Sequence, residues 1–277
     1  MRGFNPGRLV DRLLYGLMAS ALILVIGALV FVLAYILGQS AGAFKLALFT
    51  PGAERNLLPM ILTTLYLALL SIAIALPLGV VTAIFLNEYA RDTGPVRLLR
   101  LAIETLAGIP SIIYGLFGLL VFCRFLRAGQ SILSGALTLS IMILPVIIRT
   151  TEESLKTVPD SFREGSLSLG ATKFQTIMHT VLPSALPGMV SSAILAIGRA
   201  AGESAPVLLT VGLAKRVPRS LADSGRTLTV HLYYLAKEAM TVEDFGEAFS
   251  AAAVLIALVL VINTATRLLS GRAGNRG

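Results

Sequence analysis

The chain has 277 residues, of which 56% are hydrophobic and 14% charged, and its mean hydropathy is +0.83. A soluble domain needs more polar surface than this to cover its core, so most of the chain must meet lipid or other buried helices. The net charge of +8 does not describe a nucleic-acid surface, because the basic residues lie singly between apolar blocks, as membrane-flanking anchors do.

Six stretches are long and apolar enough to span a bilayer, near 14–38, 59–86, 107–127, 131–150, 188–213 and 248–269. The first follows Arg2, Arg8 and Arg12 and has the outline of a signal peptide. It is longer than a typical signal core and no small-residue cleavage site follows, which predicts a retained span. The second and fourth contain Pro77 and Pro145, tolerated in membrane helices where neighbours re-satisfy the freed carbonyl. Gly108, Pro110, Gly115 and Gly118 make the third rich in small residues and predict close helix packing. Cys123 lies in the same apolar run and has no second cysteine to pair with. His179 and His231 are too far apart in sequence to indicate a metal site.

Orientation follows from Lys and Arg placement. With the N-terminus inside, the cytoplasmic side holds Arg2, Arg8 and Arg12, then Arg91, Arg97 and Arg100, then Arg149, Lys156, Arg163 and Lys173, and finally Arg267, Arg272 and Arg276. The outer side holds Lys45, Arg55, Arg124 and Arg127, and a long loop, 214–247, with Lys215, Arg216, Arg219, Arg226 and Lys237 among acids at 223, 238, 243, 244 and 247. Short loops count most, which places both termini in the cytoplasm.

Residues 150–188 are too polar to cross a bilayer and too patterned for a flexible linker. Pro159 suits a helix start and Gly170 its end, Thr172 with Gln175 reads as a capping box, and Pro183 is expected to stop the second helix. Phe174, Ile177, Met178, Val181 and Leu182 recur at helical spacing, and Leu155, Phe162 and Leu169 form a stripe interrupted by the small Gly165 and Ser166. Arg163, Glu164 and Lys173 sit near the bend, where charges of a partner can meet them. Periodicity alone leaves open whether this hairpin packs only on its own membrane domain.

Arg199 lies some ten residues into the fifth span, about 15 Å deep at the helical rise. A charge there has to face a protein interior or a wet cavity. Glu203, four residues on, shares its helical face and can pair with it, and Gly202 allows a neighbouring helix close. Two readings stand: a positive group on an anion's route held by Glu203, or a buried salt bridge that fixes packing. Ser111, Thr138, Ser140 and Ser204 can line the same path, although such hydroxyls usually bond their own helix carbonyls. No P-loop pattern occurs in the chain, so any ATP hydrolysis belongs to another polypeptide.

The run Glu164-Gly165-Ser166, then Gly170, then Leu182-Pro183, resembles the EAA loop of binding-protein-dependent ABC importer permeases. Gly165 and Ser166 replace the two alanines of that pattern, and Thr180 stands where isoleucine is expected. AGIPSIIYGLFG at 107–118 and GRAAGESAPVLLT at 198–210, with the loop between them, are similar to the membrane subunits of phosphate ABC importers, closest to the PstA type. The resemblance implies an all-α membrane protein of about six transmembrane helices with the type I, MetI-like permease architecture. Residues 1–58 would hold the first span and an outer loop, 59–270 the permease domain with its coupling loop at 150–187, and 271–277 a cytoplasmic tail. It further implies an inner-membrane transport subunit that is not itself an enzyme and binds no cofactor, ATP and Mg residing on a partner.

Implied partners are an ATP-binding cassette subunit dimer, a PstC-like second permease, a periplasmic phosphate-binding protein and membrane lipid, with no nucleic acid. Glu164, Gly165, Ser166, Gly170, Leu182 and Pro183 are the implied coupling residues, and Arg199 and Glu203 line the implied pathway. Three alternatives differ in class or cargo. A permease for another oxyanion or small solute keeps the architecture. A secondary transporter predicts an internal repeat with broken helices at matching positions, and the sequence displays no clear one. A membrane scaffold leaves Arg199 and Glu203 exchangeable for an apolar pair.

Overall fold

A backbone in hydrocarbon has to satisfy its own polar groups, and the long apolar runs do so as helices. The computed structural model describes residues 6–43, 49–50 and 56–274, and regular structure within them is helical. Five helices are long and apolar enough to span alone: α1 (Pro6–Ala43), α2 (Leu58–Tyr89), α5 (Ile132–Lys156), α7 (Lys173–Gly202) and α10 (Val242–Gly274). A sixth apolar segment is a broken one, α3 (Gly94–Ala107) and α4 (Ser111–Phe125), bent by 101°. Short helices α6 (Asp160–Ser168), α8 (Ala205–Thr210) and α9 (Leu228–Glu238) complete the chain. Of the charges used to orient the chain, Arg2, Lys45, Arg55 and Arg276 lie outside the described residues.

Two spans differ from expectation. The third does not begin at 107: its helix starts at Gly94 and turns sharply at Gly108–Pro110. Pro110 lacks an N–H and pushes the residue before it out of the helical region, so the chain restarts as α4. The fifth is not a continuous 188–213 helix. It begins at Lys173, inside the loop, and ends at Gly202, before the separate α8. Pro77 and Pro145, by contrast, sit inside continuous helices as expected.

α5 is the axis of the bundle. Two thirds of its apolar stretch (67%) is buried, against none (0%) for α1. Leu139, Met142, Ile143 and Ile147 of α5 pack with Leu67 and Ala75 of α2, Ala196 and Ala200 of α7, and Val207 of α8. A second cluster, nearer the 157–172 hairpin, joins Leu86, Ile148, Leu155 and Val181. α1 lies against α10, where Tyr35 meets Phe249 edge-on with centroids 5.6 Å apart. Thr138 and Ser140 bond to their own helix, as expected: Thr138 Oγ1 donates to the Ser134 carbonyl at 2.7 Å and Ser140 Oγ to that of Ala136 at 2.6 Å. At the opposite end from the hairpin, the first N–H groups of α5 would lack partners. Thr210, Asp223 and Leu221 supply carbonyls to Ser131, Ile132 and Leu133 at 2.9–3.0 Å, which closes the long loop over α5.

Small residues let α4 and α8 cross closely. A Cβ at Gly115 would lie 2.8 Å from the Pro206 Cα, and backbone there cannot yield. Gly165 has nothing within 4 Å of that position. Gly115→Ala is therefore expected to destabilise the bundle by about 1–3 kcal/mol, the usual cost of overpacking, whereas Gly165→Ala changes stability by less than about 0.5 kcal/mol. Thermal unfolding of the two variants in detergent checks the contrast.

Candidate functional site

The hairpin at one end of the bundle is built by local chemistry. Pro159, extended at φ −60° and ψ 142°, starts α6, and Gly170 turns the chain at φ +86°, a conformation that penalises any Cβ. The capping box forms: Thr172 N–H donates to Gln175 Oε1 at 2.9 Å and Gln175 N–H to Thr172 Oγ1 at 3.3 Å. Ser166 Oγ and Thr176 Oγ1, 2.9 Å apart, fasten α6 to the start of α7.

Pro183 does not stop the second helix. A π turn over Ile177–Val181 precedes it, and the Leu182 N–H donates to the Ile177 carbonyl, five residues back. In an α turn the Pro183 ring would strike the carbonyl of residue 179, and the wider turn removes that clash. The second arm of the hairpin and the span that follows are thus one helix of 30 residues.

The expected apolar stripes divide. Leu155 belongs to α5 and is buried, with Ile177 and Val181, while Phe162, Leu169, Phe174 and Met178 face outward. Leu169 is 91% exposed at the tip. Leu167, which the stripe did not include, joins them, and an apolar residue in so polar a short helix was the available signal. Glu164 and Gly165 lie on the exposed side, Ser166 and Leu182 are partly buried, and Pro183 is exposed on α7. The EAA-like residues therefore fall into a hairpin tip, an internal fastening and a helix junction.

Two charges assigned to a partner are used within the chain. Arg163 turns inward and donates to Glu88 Oε1 at 2.8 Å, to the Val158 carbonyl at 2.7 Å and to that of Leu155 at 3.0 Å, so it also caps α5. Hydrogen bonding to Glu88 pushes the guanidinium pKa above its already high value, which keeps this tie charged at any physiological pH. Lys173 lies over the Tyr89 ring, 4.9 Å from its centroid. Nearby, Glu152 joins Arg100 and Lys156, the latter at 3.1 Å.

The second site lies where α7 ends. Arg199 occupies its last turn, where the helix dipole favours a cation, and Glu203 follows in extended conformation at φ −76° and ψ 131°. Arg199 Nε and Glu203 Oε1 are 3.6 Å apart, with side-chain exposures of 39% and 18%. The expected pair forms, although across a helix terminus rather than along one helical face. Gly202 has open space around it, and no neighbouring helix among the described residues approaches it. The Tyr114 hydroxyl donates to the Leu106 carbonyl across the α3–α4 bend at 2.7 Å. Both breaks thus belong to one region, since α4 packs on α8. Broken helices, not apparent in the sequence, are present.

Sequence reasoning missed a buried pair: His231 Nε2 of α9 lies 3.2 Å from Glu247 Oε1 of α10. Sixteen residues of separation hide it from any helical spacing rule. Glu88 was likewise missed, since its partner is 75 residues away.

A bundle of long apolar helices with an exposed, apolar-tipped hairpin and an ion pair at a helix break describes a multi-pass membrane protein. Residues 75–275 match the family described as binding-protein-dependent transport system inner membrane component, and the chain belongs to it. It is therefore the permease subunit of an ABC importer. The probable ABC transporter permease protein YqgI of Bacillus subtilis (strain 168) is 31% identical over 280 residues, 95% of each chain. The phosphate transport system permease protein PstA of Mycobacterium leprae (strain TN) is 38% identical over 197 residues, 71% of this chain and 64% of that protein. PstA 2 of Mycobacterium bovis is 31% identical over 95% of this chain and 88% of its own.

Among solved structures, a bacterial alginate ABC transporter in complex with an alginate pentasaccharide-bound periplasmic protein contains a chain of the same fold. The TM-score is 0.73 at 15% identity, over 95% of this chain and 96% of that one. The inward-facing MetNI methionine ABC transporter gives 0.60 at 21%, over 79% and 94%. These likenesses establish the MetI-like fold.

The Arg163–Glu88 tie yields a test. Glu88→Ala leaves the Arg163 guanidinium with only the exposed Asp160 carboxylate, 3.2 Å away, and is expected to cost about 2–4 kcal/mol, the lower part of the buried-pair range. Hydrogen exchange should speed up across 158–172 while the core of α5 stays protected.

Proposed function

We propose that the chain forms half of the translocation pathway of a phosphate importer and is driven by a separate ATPase through its hairpin. The observation that carries the cargo assignment is Arg199, a partly exposed cation at the end of a broken apolar helix, paired with Glu203. An anion crossing there meets a positive group whose hold is moderated by a carboxylate, and a weakly attractive site suits passage because tightly bound ions cannot leave. The similarity to proteins named as phosphate transport permeases supports phosphate over other oxyanions.

In this mechanism the apolar tip around Leu169 docks on an ATP-binding subunit, which holds ATP and Mg, while a PstC-like permease supplies the other half of the pathway. A periplasmic phosphate-binding protein delivers the cargo. The hairpin end is cytoplasmic, as are both termini. Nucleotide-driven motion of the hairpin moves α7 along its length, and the break at Glu203 opens or closes accordingly. Arg199 attracts the anion, Glu203 competes for the guanidinium, and release follows when the pair re-forms.

Uptake by the reconstituted complex tests this reading. Arg199→Gln is expected to lower phosphate uptake by about tenfold or more, the loss of one charge-assisted hydrogen bond. Glu203→Lys should abolish uptake with assembly intact. Loss of sulfate or molybdate uptake in place of phosphate would reassign the cargo, and failed assembly in both variants would make the pair structural. In the same assay Gly170→Val should leave ATP hydrolysis running without uptake, since φ +86° excludes a β-branched residue. Unchanged uptake would remove the hairpin from the mechanism.

A further inference from the structure

Glu203 leaves α7 extended, so its carbonyl drops out of the helical ladder and needs a donor. The buried hydroxyl of Thr229, on the first turn of α9, provides it at 2.9 Å. Thr229 Oγ1 is also 2.9 Å from Thr227 Oγ1, which in turn accepts the Val230 N–H at 3.4 Å. A hydroxyl has one proton to give. With the Thr229 proton directed at Glu203, Thr227 must donate to Thr229, and the bonds run in one direction from Val230 through both threonines to Glu203. The adjacent Leu228 N–H donates to Thr64 Oγ1 at 3.0 Å, which seats the same turn on α2. Glu203 is therefore held twice, by its carbonyl on α9 and by its carboxylate at Arg199.

We propose that Thr229 is a positioning residue for transport: its hydroxyl fixes the Glu203 backbone and so sets where the carboxylate meets Arg199. The inference rests on the reading of Arg199 and Glu203 as pathway groups. Thr229 itself touches no cargo. Without its hydroxyl the Glu203 carbonyl loses its donor, the peptide turns to find another, and the carboxylate leaves the guanidinium. Arg199 then retains an oxyanion longer, so turnover falls while apparent affinity holds or rises.

The test uses the complete reconstituted transporter, with inorganic phosphate as cargo and rates normalised to assembled complex. Thr229→Val should lower kcat about tenfold, the scale of one lost buried hydrogen bond, with KM unchanged or lowered. Thr229→Ser, which keeps the hydroxyl, should stay within about twofold of the parent on the same scale. On the residual uptake of Glu203→Gln, Thr229→Val should add no further loss, because the two act as a unit. Ser71→Ala removes a buried hydroxyl elsewhere, one that donates to the Leu67 carbonyl, and is expected to lower yield without changing turnover per complex. Thr229→Ala serves if the valine variant does not assemble.

Wild-type kcat and KM in Thr229→Val or Thr229→Ala overturn the proposal. So does a serine variant as impaired as the valine one, or losses that multiply with Glu203→Gln. If Arg199→Gln and Glu203→Gln both transport normally, the pathway reading fails and takes this inference with it. If those two are impaired while the Thr229 variants are not, the role of Thr229 alone falls.

Discussion

The structure depends on the continuity of α7. A single hydrogen-bonded helix of 30 residues, about 45 Å at the helical rise, connects the hairpin that faces solvent to the break that holds Arg199 and Glu203. A helix is stiff along its axis, so displacement at one end arrives at the other, with the π turn and Pro187 as the points where it can bend. Had Pro183 ended the second arm, as proline commonly does, hairpin and pathway would communicate through a loop and lose most of that stiffness. The π turn is what allows proline and continuity to coexist.

The surrounding helices divide into those that hold α7 and those that meet lipid or other chains. α5 lies between α2 and α7, and Thr138 and Ser140 donate to carbonyls of their own helix, so the axis presents a mostly apolar, close-packed surface. At the hairpin end the charges are tied in: Arg163 to Glu88, and Glu152 to Arg100 and Lys156. Such a layer sets the seat of the hairpin and leaves its apolar tip free to face a partner. α1 has a different character, with one close neighbour and its apolar surface open.

Much of this was legible in the sequence because apolar length and turn chemistry are local. The spans, the glycine bend at 170, the capping box at 172–175 and the Arg199–Glu203 pair all depend on residues a few positions apart. The failures share the opposite cause. Arg163 was assigned to a partner because Glu88, which claims it, is 75 residues away. The stripe at 155, 162 and 169 assumed one helix where the chain turns at Pro159. Pro183 misled because its effect depends on the turn before it. The break after Gly202 was missed although Gly202 and Pro206 mark it, and what holds it is distant: Glu203 finds a partner on α9 as well as in its own preceding turn.

A turn that holds an extra residue also sets an angular offset. Each residue of an α-helix advances the side chains by about 100°, so the widened turn at Ile177–Val181 rotates everything beyond it by about that angle relative to a straight helix. The hairpin tip and the Arg199–Glu203 pair lie on opposite sides of this turn, so their relative azimuth carries the offset. The π turn thus works as a fixed twist in a drive shaft, matching the azimuth of the grip to that of the gate.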